Sequence, residues 1–171
     1  MKWIIVSLLA LGCSLPLHSV QAQQGPNFPS DSNLQTKADY DRYGPMVQQA
    51  ADWLEATSLD DQRELRQATD RFIYRWVNGS PTVRVHVNNH LLKLMDKNQQ
   101  LSMIYLARYA AWCLTNNDYQ NAKPPTKAAL QAIIKVYKKG INVKHTKLMD
   151  QLVSAADHNG LDDYISHTVL Q

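Results

Sequence analysis

Fourteen consecutive residues constrain this chain more than any others. Leu101 to Leu114 reads LSMIYLARYAAWCL, and only Ser102 and Arg108 in it are polar. Leu101, Tyr105, Tyr109 and Trp112 recur at helical spacing. Ile104, Ala111 and Leu114 mark a second face, and Met103, Leu106, Ala110 and Cys113 a third. A helix that is apolar on nearly every face must be enclosed by other elements. A bilayer span needs ~20 apolar residues and tolerates a central arginine poorly, so this segment does not read as one. It predicts an all-α domain, a six- to seven-helix bundle or short helical superhelix, around a central buried helix over about 99–115.

The N-terminus reads as a secretory leader. Lys2 is a minimal basic region, Trp3 to Leu11 a short apolar core, and Val20-Gln21-Ala22 a small-x-small cleavage site. Cleavage after Ala22 predicts a periplasmic or secreted protein. The alternative is a lipoprotein acylated at Cys13, which follows Gly12, although Ala10 stands where leucine is usual. Removing 22 residues from 171 leaves 149, enough for one domain with a real core. The leader takes one lysine with it, so the formal charge of +3 falls to +2. Such a balance does not call for a nucleic acid or an anionic membrane. Cys113 is then the remaining cysteine, so no intramolecular disulfide can form. Within an apolar helix it reads as a small buried hydrophobe.

The polar run 23–42, with Pro26, Pro29 and several serines and asparagines, predicts a flexible tail ahead of a helical domain over 43–171. Gly44-Pro45 reads as the start of the first helix, with Met46, Ala50, Trp53 and Leu54 on its apolar stripe. Ser58-Leu59-Asp60-Asp61 opens the second, whose face carries Leu65, Ala68, Phe72, Ile73, Trp76 and Val77. Asn78-Gly79 ends it, the glycine reading as a left-handed cap. Residues 82–87 alternate valine with polar residues and predict one short extended connector, Val83, Val85 and Val87 facing inward. Asn88 and Asn89 offer a cap for a short helix through Asn98. Thr126 reads as the cap of a helix through Lys139, Thr146 opens another, and Gly140 and Gly160 read as stops.

Chemistry is sparse. His86 and His90 are four apart but straddle an extended run and a helix start, without an H-E-x-x-H pattern. Asp157 to Asp163 suggests a calcium loop until Gly160 is aligned with the turn glycine. Ala155 and Ser166 then fall where an aspartate and a glutamate are required. Asp163 and His167, four apart, can orient an imidazole or form a surface ion pair. Neither a G-x-S-x-G elbow nor a phosphate-binding glycine loop is present. No catalytic residue, metal site or cofactor is therefore assigned.

The remaining candidates are aromatic. Tyr105, Tyr109 and Trp112, with Trp76, are plentiful enough to line a ligand groove, although such rings also pack cores. The segment from Trp53-Leu54 through Phe72-Ile73, Trp76-Val77, Gly79-Ser80-Pro81-Thr82-Val83 and Tyr109-x-x-Trp112 resembles a family of small exported proteins of Bacteroides-type Gram-negative bacteria. That resemblance implies an exported helical domain with no assigned activity and carries over no site residue. The sequence thus predicts an exported, non-enzymatic binding domain for a protein, peptide or glycan of the cell envelope. A small hydrolase using His86, His90 or the Asp163/His167 pair is the alternative, as is a lipid-anchored envelope protein.

Overall fold

A computed structural model describes residues 27–28 and 34–171. The leader, its cleavage site and Cys13 lie outside the described residues. Among the described residues there are seven α-helices, a terminal π-helical turn and no strand. They are α1 (Lys37–Ala56), α2 (Arg63–Gly79), α3 (Asn89–Met95), α4 (Gln100–Asn116), α5 (Lys123–Lys138), α6 (Lys147–Asp157) and α7 (Leu161–Tyr164). The π turn covers Ile165–Val169. Helix α4 is the central one, packed against α1, α2, α3 and α5. Because α1 also meets α5, the helices close around α4 as an all-α bundle instead of stacking linearly. Leu101, Ile104, Tyr105, Ala107 and Ala110 are wholly buried. Each buried leucine or isoleucine contributes about 1.5–3 kcal/mol. No helix of the described residues is long and apolar enough to cross a membrane.

Helix α1 begins at Lys37, not at Pro45. Thr36 and Asp39 form a reciprocal capping box, and the local amide and hydroxyl bonds hold the Asp39 carboxyl below its usual range. Pro45 sits inside the helix, where it cannot donate to the preceding turn. In that turn the carbonyl of Tyr40 accepts the Trp76 indole N–H at 3.1 Å, so a side chain braces the weakened stretch. The expected tail therefore contributes a helix, and Tyr40 and Tyr43 join the core. Phe28 also stacks on Phe72, with ring centroids 4.4 Å apart.

Two glycines act differently from expectation. Gly79 is the last residue of α2, and it has no positive φ. A Cβ there would lie 1.9 Å from the Tyr40 hydroxyl, so glycine is required by the close approach of α1. After α6 it is Asn159, with φ 59°, and not Gly160, that takes the left-handed position. Gly140, with φ 70°, does end α5 as read. Helix α2 opens at Arg63, later than Ser58 suggested, because Gln62 takes a left-handed conformation. Helix α5 opens three residues before Thr126, with Pro124 and Pro125 in its first turn, where a missing N–H costs nothing.

Candidate functional site

Residues 80–90 are held by side chains reaching main chain. The Ser80 hydroxyl accepts the Val83 N–H at 3.1 Å, and Arg84 Nη1 returns a bond to the Ser80 carbonyl at 2.8 Å. Buried Tyr105 donates its hydroxyl to the His86 carbonyl at 3.0 Å. The Val169 carbonyl, at the end of the π turn, receives two donors: His86 Nε2 at 2.9 Å and Asn88 Nδ2 at 2.7 Å. A carbonyl only accepts, so His86 carries its proton on Nε2 here. Asn88 also caps α3, its Oδ1 accepting the Leu91 N–H at 3.0 Å. His90 Nε2 meets the Tyr164 hydroxyl at 2.6 Å. Burial, and then nearby Lys93, lower the His90 pKa, which favours the neutral ring.

The connector runs without turn or bend over 83–88, as the valine alternation predicted. Its burial is graded: Val83 is buried, Val85 half-buried and Val87 43% exposed. The chain lifts off the helices toward its end, so Val87 does not face inward. Leu92, one turn on, is 56% exposed. Val87 and Leu92 occupy the N′ and N4 positions around the Asn88 cap, a pair of positions that meet across a helix start.

The aromatic groove expected on α4 is core. Tyr105, Tyr109 and Trp76 are buried, and burial first of all pushes both tyrosine hydroxyls above their ordinary range. Of the four groove residues, only Trp112 is partly exposed. A helix wrapped on all sides cannot also present these rings to a ligand. Cys113 is buried and its thiol is pushed up to about 11 by burial, then by Asp118, so it stays protonated and unreactive at neutral pH.

The residues of the hydrolase alternative do not assemble into a catalytic set. His86 and His90 both face the C-terminal segment, but their partners are a carbonyl and a tyrosine, not a carboxylate. His167 Nδ1 meets the main-chain carbonyl of Asp163 at 2.9 Å and not its carboxylate. Among the described residues no group of three or more His, Cys, Asp or Glu side chains is placed to hold a metal.

One constellation escaped the sequence reading. The buried Tyr137 hydroxyl donates to Asp150 at 2.7 Å, accepts the Thr146 N–H at 3.0 Å, and lies 3.3 Å from His145 Nδ1. Burial, then Asp150, raise its pKa. The hydroxyl fastens the turn before α6, whose cap at Thr146 was the legible part. Two open clefts lie elsewhere on the described surface. One, of about 380 Å³, has an apolar floor of Ile134, Ala156 and Leu161, and its rim lysine Lys127 is paired with Asp162 at 2.7 Å. The other, of about 450 Å³, is polar and lies between Asn98 and Lys144, which are already bonded to each other.

Compared with protein-family models, curated proteins and solved structures, the chain matches none.

Proposed function

We propose that this chain is an exported, non-enzymatic binding domain of the cell envelope, and that its binding surface is the connector with the first turn of α3. The polar side chains of this region are used to hold main chain in place. His86, Asn88, Arg84 and Tyr105 all serve that end. The observation that carries the reading is the result of that fastening. Val87 and Leu92, two of the four exposed large apolar side chains among the described residues, flank the Asn88 cap of a segment held by these bonds. Exposed apolar groups on a rigid frame suit recognition, since little ordering entropy remains to be lost on binding. The partner is a protein or peptide of the envelope.

A photo-crosslinking amino acid at position 92, in the chain expressed in its own cells, tests this. A discrete cross-linked product is expected, and it should vanish in Val87→Asp with the melting temperature unchanged. Absence of any product, or persistence of the same product in Val87→Asp, removes the reading. Intact mass of the exported chain tests location: a chain beginning at Gln23 supports cleavage after Ala22, and an acylated Cys13 overturns it.

A further inference from the structure

Among the described residues, part of the connector's main chain has no hydrogen-bond partner. In an extended chain the N–H and C=O of one residue point to the same edge, and those of its neighbours to the other. The His86 carbonyl is turned toward Tyr105. In a regularly extended run the N–H and C=O of Val85 and Val87 would then lie on the opposite edge. Among the described residues neither Val85 nor Val87 has a hydrogen-bond partner there. This is an unpaired main-chain edge on a helical protein, in a run free of turn or bend over 83–88. An open edge is completed by another extended backbone.

Charge narrows the partner. Residues 80–95 carry the cations Arg84 and Lys93 and no aspartate or glutamate. A second copy of this chain, pairing antiparallel around Val85, would set Arg84 against the other copy's His86 and offer it no carboxylate. A strand with acidic residues meets the same edge favourably.

We infer that the Val85–Val87 edge accepts an extended peptide by strand addition, with apolar residues alternating along it and an acidic residue opposite Arg84. This rests on the binding reading above and names the class of partner for that surface. Two good main-chain bonds and an apolar contact at Val87 and Leu92 would be its anchors.

The test uses the processed chain and a pooled set of acetylated decapeptides in which valine alternates with glutamate, threonine or lysine. Glutamate-bearing peptides should be retained, and the amides of Val85 and Val87 should gain protection from hydrogen exchange. Val87→Pro removes one edge N–H without touching a bond the fold uses, and should weaken binding about tenfold, while Val87→Thr should change it less than about threefold. Arg84→Glu should turn the preference toward lysine-bearing peptides, a readout that does not depend on the proline variant folding. Retention of no peptide, protection elsewhere than Val85 and Val87, or a dimer formed through this edge would each overturn the inference. A cross-link from position 92 with no peptide retained would leave the binding reading standing and strike out strand addition alone. Loss of both would remove the reading itself.

Discussion

At the scale of single residues, the least comfortable place is where α1 meets α2. Asp70 is part-buried, and burial pushes its carboxyl from the ordinary 3.8 up to about 6, against the opposing pull of Arg66 and Arg71. Its Oδ1 has no hydrogen-bond partner among the described residues, and neither do Arg66 Nε and Trp53 Nε1. The Arg66 guanidinium lies over the Trp53 ring at 5.4 Å and spends one nitrogen on the carbonyls of Thr57 and Ser58. A carboxyl whose folded pKa is raised favours the fold while protonated. That contribution is complete below pH ~4 and is lost as the pH rises through ~6. Asp70→Asn should therefore stabilise the protein at pH 7.5 by about 1 kcal/mol, a figure reduced for partial exposure, with the gain absent at pH 4. Urea unfolding at the two pH values checks the sign.

At the scale of elements, the connector is the part to disturb. Tyr105→Phe removes the hydroxyl that holds the His86 carbonyl while leaving the ring in place. A cost of about 1 kcal/mol is expected, with faster amide exchange over 84–88 and little change in α4. Uniform exchange across the molecule would instead mean that Tyr105 acts only through packing. This element also shows what a sequence can and cannot disclose. Period-two valines announced an extended run, and the Asn88 cap and the helix start at Thr146 were visible, because each depends on neighbours within four residues. The outward turn of Val87 depends on Val169 and Tyr105, far along the chain, and no local pattern encodes it. Gly44-Pro45 looked like a helix start for the same reason in reverse. The Thr36–Asp39 box and the Trp76 bond outweigh the proline, and the second of these joins residues 36 apart. Apolarity of α4 told correctly that it would be enclosed. It also meant that Tyr105, Tyr109 and Trp76 would be inside and not lining a groove.

At the scale of the whole molecule, one charged knot ties three helices. Arg108, the polar break in the central apolar run, bonds the buried Glu55 carboxylate through Nε and Asp52 through Nη2 at 2.7 Å. Lys135 lies 3.5 Å from Glu55, and Lys139 Nζ donates to the Glu55 carbonyl at 2.8 Å, closing the end of α1 from α5. Removing the arginine leaves the Glu55 carboxylate, with its side chain 9% exposed, to Lys135 alone at 3.5 Å. Arg108→Met should cost about 3 kcal/mol, and Glu55→Gln in the same chain should recover part of it. Equal losses in the single and double variants, measured by urea unfolding, would show that Glu55 does not depend on Arg108. The other tie is the Val169 carbonyl, met by side chains 83 and 81 residues earlier. A chain that emerges N-terminus first cannot make that junction until Val169 itself is free. The connector thus stays unlatched while the next eighty or so residues are made, and is set only when Val169 follows them.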